Sequence, residues 1–170
     1  LLPLAWIVRS FPNEYVYFNE FSGGVKKAIG VYDLDYYQNS GKQAAEWIKK
    51  NTKVQGRKTK VVSNMSTIDR YFTLDSNKFS GDYVRYNDRD TKDWDYYITY
   101  SRFISIAQLE AGTWPPKNAV HVIAVDGVPI SAVLERKTKL DIAANKAMES
   151  QKLDTAFTLY QQAVAEDASN

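Results

Sequence analysis

The stretch Ala119 to Glu135 constrains this chain more than any other. It reads AVHVIAV, then Asp126-Gly127, then VPISAVLE. Two mostly apolar runs around an Asp-Gly pair are the signature of a tight β-hairpin. Val120, Val122 and Ala124 share one face of the first strand, and His121, Ile123 and Val125 share the other. A strand that is apolar on both faces is covered on both, so the hairpin calls for helices on at least one side. The return strand is expected over Pro129 to Glu135. Pro129 suits a first or edge position there, because it donates no ladder hydrogen bond.

Upstream, short helices alternate with strands. Val25 to Val31 predicts a short helix ended by Gly30. Asn39-Ser40 offers an N-cap for a helix from about Gly41 to Lys50, with Ala44, Ala45, Trp47 and Ile48 on one face. Strands are predicted over Lys58 to Ser63, Asp82 to Tyr86 and Asp95 to Tyr100, and short helices over Ser66 to Phe72 and Ile104 to Glu110. No aromatic residue occurs between Trp114 and Phe157, and from Lys139 alanine becomes dense. Leu140, Ala144, Ala147 and Met148 keep helical spacing, as do Ala156, Leu159, Tyr160 and Ala163; the two helices meet at Gln151-Lys152-Leu153-Asp154. The sum is an α/β fold: a mixed sheet of about five strands flanked by helices, ending in a β-hairpin, plus a C-terminal helical hairpin. The expected segments are 1–10, a membrane-span end or leading helix; 11–137, the α/β domain; and 138–170, the helical hairpin.

Composition closes off several function classes. With 44% hydrophobic residues the chain has material for a core, which argues against disorder. Basic and acidic residues nearly balance at 22 and 20, and no basic cluster makes a case for nucleic acid. The absence of cysteine excludes disulfides, thiolate metal sites and a cysteine nucleophile.

The N-terminal region has a different character. Phe11 to Tyr37 holds eight aromatics in 27 positions: Phe11, Tyr15, Tyr17, Phe18, Phe21, Tyr32, Tyr36 and Tyr37. Before it stands LLPLAWIV, an apolar run that stops at Arg9. An apolar run, a charge and then a Tyr/Phe-dense band is the pattern of a chain leaving a bilayer. Leu1 to Val8 falls far short of the roughly 20 residues a span needs. It reads as the end of a span or as the first turns of a buried amphipathic helix.

Candidate chemistry is sparse. Three Asp-x-Asp pairs occur, Asp33-Asp35, Asp88-Asp90 and Asp93-Asp95. Such a pair could hold Mn²⁺ or Mg²⁺ with a nucleotide-sugar diphosphate. Aspartate is equally at home in turns and caps, and two of the pairs sit in one polar loop, which favours that reading. His121, the only histidine, lies inside an apolar strand and belongs to no metal cluster or Ser-His-Asp set. Ser22-Gly23-Gly24 lacks the spacing of a phosphate loop and reads as a tight turn. Trp114, ahead of two prolines and accompanied by Tyr96, Tyr97 and Tyr100, could stack on sugar rings, although so many aromatics also suit a core or a membrane interface. The possible sugar or acceptor contacts are therefore Tyr36, Tyr37 and Trp114. No catalytic, cofactor-binding or metal-binding set is legible. Asn64-Met65-Ser66 has the N-glycosylation acceptor pattern.

Two blocks carry a family resemblance. YVYFNEFSGGVKKAIGVYDLDYYQNSGKQAAEWIKKN resembles the segment just after the last transmembrane helix of bacterial polytopic glycosyltransferases of the protein O-mannosyltransferase and aminoarabinose transferase type. TWPPKNAVHVIAVDGVPISAVLERK resembles the closing hairpin of the same extracytoplasmic domain, as found in Bacteroidetes members. Together the blocks cover about 60 residues. The resemblance implies a domain on the periplasmic face of a bacterial inner membrane, tethered in a parent that uses a polyprenyl-phosphate sugar. Its partners would be the membrane domain of the same polypeptide and a glycan or lipid-linked sugar. In that family the catalytic acidic residues lie in the first extracytoplasmic loop of the membrane domain. No stretch here corresponds to that loop, so no catalytic residue and no cofactor is carried over. The aromatic band is expected to pack under or beside the closing hairpin.

The tail, QKLDTAFTLYQQAVAEDASN, resembles the second half of a tetratricopeptide repeat, with Ala156, Tyr160 and Ala163 at its packing positions and Ala144 at that of the first helix. Gln151 and Ala168 stand where the repeat usually has glycine and proline. One repeat cannot bury its own face, which implies docking on the α/β body or continuation into further repeats, and makes these helices the place for a protein partner. The expectation is a non-catalytic domain that caps a membrane glycosyltransferase or guides its acceptor. The alternatives are an interaction module that begins a repeat array, and a free-standing nucleotide-sugar transferase built on Asp88-Asp90 or Asp93-Asp95.

Overall fold

The structure, a computed structural model, describes residues 2–54 and 56–166. Leu1 and Ala168 lie outside the described residues. The fold is α/β, with a mixed five-stranded sheet, flanking helices and a C-terminal helical pair. The strands are β1 (Thr59–Ser63), β2 (Phe79–Tyr83), β3 (Tyr96–Tyr100), β4 (Ala119–Val125) and β5 (Val128–Glu135), in the order β2-β1-β3-β5-β4. β1 and β2 pair in parallel, and β4 and β5 pair antiparallel. The helices are α1 (Leu2–Ser10), α2 (Gly24–Ala28), α3 (Ser40–Asn51), α4 (Ile106–Glu110), α5 (Leu140–Glu149) and α6 (Leu153–Glu166), with several 3-10 turns between them. The chain divides into two compact units, Leu1–Thr52 with Ile98–Leu134 and Lys53–Tyr97 with Glu135–Asn170.

In the first unit the hairpin closes at Asp126 and Gly127, both in left-handed backbone (φ 49 and 77). That is the conformation a two-residue turn of this kind requires. β5 buries both of its faces and β4 only part of one, with register shifts at two points. Pro129 does not lie at an edge or at a first position: it is the second residue of the internal strand β5. It is tolerated there because it pairs with Ala124 beside the second register shift, where the ladder is already interrupted. α3 spans the expected helix and buries Ala44, Ala45 and Ile48. Its Trp47 ring stacks on His121 of β4, with centroids 4.8 Å apart and planes 4° from parallel.

The cap of α3 differs from the expected one. Neither Asn39 nor Ser40 caps it through its own side chain in the usual way. The buried Asp35 carboxylate takes the backbone N–H groups of Asn39 (2.9 Å) and Ser40 (3.3 Å) and the Ser40 hydroxyl. Tyr15 donates its hydroxyl to the same carboxylate at 2.7 Å. A carboxylate here satisfies orphan helix donors and meets the positive end of the helix dipole.

In the second unit β2 starts three residues before the predicted strand. Two tertiary contacts set it: Phe79 packs on Phe72 (centroids 5.4 Å apart), and at Gly81 the backbone of Asp69 comes so close that a Cβ would lie 2.5 Å from its Cα. The predicted helix at Ser66 to Phe72 is a 3-10 helix over Ile68–Asp75. Val61, Ile68, Phe72, Trp94 and Tyr97 form this unit's core, and the Tyr97 hydroxyl is satisfied by the Val84 carbonyl at 2.6 Å. α5 and α6 meet through small residues, with Ala144, Ala147, Ala156 and Ala163 buried. Tyr160 closes the pair by donating to Asn145 Oδ1 at 2.5 Å.

Candidate functional site

The most unusual surface is the one made by residues 11–37. None of its eight aromatics is buried, and Phe11, Tyr15, Phe21, Tyr32, Tyr36 and Tyr37 are exposed, Phe21 at 95%. Its inward positions are aliphatic instead: Val16, Val25, Ala28 and Leu34. Aromatic rings ordinarily dominate cores and interfaces. A segment that buries four aliphatic side chains and none of its eight aromatics has the pattern of an interface.

α1 continues this surface. Trp6 is its anchor: the indole N–H donates to Asp126 Oδ2 at 2.6 Å, and the ring meets Tyr17 edge-on at 5.1 Å. Arg9 pairs with the other oxygen of the same carboxylate at 2.6 Å. Leu4, Ile7 and Val8 are exposed. Beside the C-terminal end of α1 an open cleft of about 530 Å³ is lined by Arg9, Glu20, Gly23, Gly24, Val25, Lys26 and Asp126. Tyr17 holds Glu20 from its rim through a 2.9 Å hydrogen bond. Among the described residues no helix is long and apolar enough to cross a membrane.

The three sequence candidates for sugar contact separate. Tyr36 and Tyr37 are both exposed and meet edge to face at 5.1 Å. The Arg102 guanidinium covers one face of Tyr36 at 4.4 Å, bonds its carbonyl at 3.0 Å and pairs with Asp33 at 3.4 Å. Trp114 does not join them. It is 9% exposed, and its indole N–H is taken by the Pro129 carbonyl at 2.9 Å, so its ring belongs to the core. Of its expected companions, Tyr96, Tyr97 and Tyr100 are buried too.

The Asp33-Asp35 and Asp93-Asp95 pairs are occupied by the fold. Asp33 pairs with Arg102, and Asp35 caps α3. Asp95 takes both guanidinium nitrogens of Arg57 at 2.7 Å; Asp93 is bonded by Lys60 (2.7 Å) and Lys139 (2.5 Å). Burial pushes both carboxyls up, but hydrogen bonds from these cations outweigh it and hold them below the usual carboxylate range. Asp90 lies 3.6 Å from Arg89. Among the described residues no group of three or more His, Asp or Glu is placed to hold a metal ion. His121 is stacked on Trp47, and burial pushes its imidazole below the ordinary histidine value. Asn64, the acceptor of the glycosylation pattern, is buried.

Sequence reasoning missed Arg102 and Asp126. Asp126 had a signal in its turn position, which presents an acidic side chain at a hairpin tip. Arg102 gave none, since it becomes informative only through Asp33 and Tyr36, far from it in the chain. Comparison with protein-family models, with curated proteins and with solved structures gave no match.

Proposed function

We propose that this is a non-catalytic extracytoplasmic domain of an integral-membrane glycosyltransferase that uses a polyprenyl-phosphate sugar donor. In this reading it lies on the periplasmic side of a bacterial inner membrane, against the membrane domain of the same polypeptide, and caps that domain or guides the acceptor. One observation carries the reading: all eight aromatics of residues 11–37 lie unburied, continuous in sequence with the exposed apolar side of α1. A surface of that kind calls for a cover, and exposed Tyr and Phe beside an apolar helix suit the boundary between membrane and water. The resemblance of the two sequence blocks supplies the choice of parent. Tyr36 and Tyr37 remain available as glycan or lipid-linked-sugar contacts. The test is transfer by the full-length parent with and without residues 11–136. Changed donor consumption or acceptor range is the expected result, and an unchanged profile rejects the role.

A second reading has its own observation. Leu153, Phe157 and Val164 are exposed along α6 while Ala156 and Ala163 face α5. That stripe favours a protein partner on the C-terminal helices. Self-association or partner binding that Phe157→Asp abolishes is its expected outcome.

A further inference from the structure

We infer that the exposed side of α1, together with Phe11 and Phe21, docks on a phospholipid bilayer, and that the cleft beside it seats one lipid headgroup. The inference rests on the membrane-proximal reading and names what that surface touches.

The shape fits an interfacial contact. α1 buries Trp6 and leaves Leu4, Ile7 and Val8 in solvent, and Phe11 and Phe21 are also strongly exposed. A short helix with an outward apolar side lies in the interface plane and binds by the apolar area it inserts. Tyr15, Tyr32, Tyr36 and Tyr37 are exposed in the same segment, and their amphipathic rings suit the headgroup level.

The charge in the cleft selects the ligand. Arg9 and Lys26 line it as cations, Glu20 and Asp126 as carboxylates. Asp126 is held by Trp6 and Arg9, and Glu20 by Tyr17, so both acids have fixed positions. A purely anionic group meets two carboxylates here, and a purely cationic group meets two cations. A headgroup that carries a phosphate and a primary amine meets a complementary charge for each. Lys26 and Arg9 would take the phosphate, Glu20 the ammonium. Phe21 adjoins Glu20 in the chain, so the apolar anchor and the headgroup site are a single patch.

The test is flotation of the 170-residue chain with three kinds of vesicle: phosphatidylethanolamine in phosphatidylcholine, phosphatidylglycerol in phosphatidylcholine, and phosphatidylcholine alone. The expected result is greatest binding to the first, reduced by soluble phosphoethanolamine to the level seen with phosphatidylcholine alone. The double variant Val8→Asp with Phe21→Asp loses at least tenfold in bound fraction with an unchanged circular dichroism spectrum. Glu20→Gln, which removes the partner of the ammonium, keeps apolar binding to phosphatidylcholine and loses the preference for phosphatidylethanolamine. The inference is overturned by a wild-type chain that stays with no vesicle, by a double variant that floats like wild type, or by stronger binding to phosphatidylglycerol. Sedimentation showing that the double variant dissolves a dimer which binds no lipid also overturns it, in favour of a second copy on this face. If vesicle binding fails while removal of residues 11–136 still alters transfer by the parent, the lipid contact falls and the domain's proposed role stands.

Discussion

Arg136 and Asp141 form an ion pair across the turn into α5, with the arginine side chain only 1% exposed. The guanidinium lies 4.8 Å from the centre of the Trp94 ring and donates to the Lys92 carbonyl at 2.6 Å. One side chain thus joins the end of β5, the loop before β3 and the first turn of α5. Removing one partner of a buried pair strands the other charge and costs about 3–5 kcal/mol. Arg136→Ala is expected to lose that much in urea unfolding followed by tryptophan fluorescence. Arg136→Met, which keeps an apolar stem over Trp94, loses less.

Gly81 sits where a strand and a 3-10 helix approach to backbone contact. A Cβ there would lie 2.5 Å from Asp69 Cα and 2.8 Å from its nitrogen. Backbone cannot swing aside as a flexible side chain can. Gly81→Ala is expected to cost about 1–3 kcal/mol, the range for overpacking. Thermal unfolding measures it, and an unchanged midpoint would refute the close approach.

Tyr15 and Tyr97 share a direction. The Tyr15 ring is exposed but its hydroxyl end is part-buried against Asp35; that burial, then the charge and hydrogen bond of Asp35, push the phenol up, and burial does the same for Tyr97. The folded chain keeps these protons where an unfolded tyrosine, with a pKa of about 10, gives them up. Above that pH the unfolded state binds fewer protons, so stability present below about pH 10 is lost as pH rises past it. Chemical denaturation from pH 8 to 11 should show the decline, and Tyr15→Phe should flatten it. At neutral pH that variant should cost about 1.5–3 kcal/mol, for a hydrogen bond to a charged acceptor.

At the acid end the Asp93 and Asp95 carboxyls matter. Both are held below the usual range, so the unfolded state takes up protons first, near pH 4. Their contribution is present above about pH 4 and is lost as pH falls toward the folded values. Lys139→Met removes a cation that reaches both carboxylates, at 2.5 and 2.9 Å. The slope of stability between pH 5 and 2 should then become shallower.

The elements read correctly from sequence are those whose cause is local. The hairpin at Asp126-Gly127 and the helix around Ala44, Ala45 and Ile48 follow from turn chemistry and periodicity within a few residues. β2 was displaced because Phe72 and Asp69 decide its position, and the sequence around Asp82 to Tyr86 carries no trace of them. The α3 cap eluded the sequence because its acceptor, Asp35, stands four and five residues before the N–H groups it serves, outside the usual Asn39-Ser40 pattern. The aromatic band was visible as composition, but composition does not say which way a ring points. Trp114 shows the converse: it shares its residue type with exposed sugar platforms, and its burial follows from the Pro129 carbonyl it meets.

Asp126 carries two separate demands in one side chain. Its left-handed backbone tolerates glycine, asparagine or aspartate at little cost. Its bonds to Trp6 and Arg9 need two acceptor oxygens and a negative charge. Glycine satisfies the turn and releases α1, and asparagine keeps the turn but halves the acceptors and drops the charge. The set of residues acceptable at this position therefore narrows to one, although each demand alone would admit several. A library of substitutions at the hairpin tip, sorted for folding and then for protection of α1 against protease, would separate the two constraints.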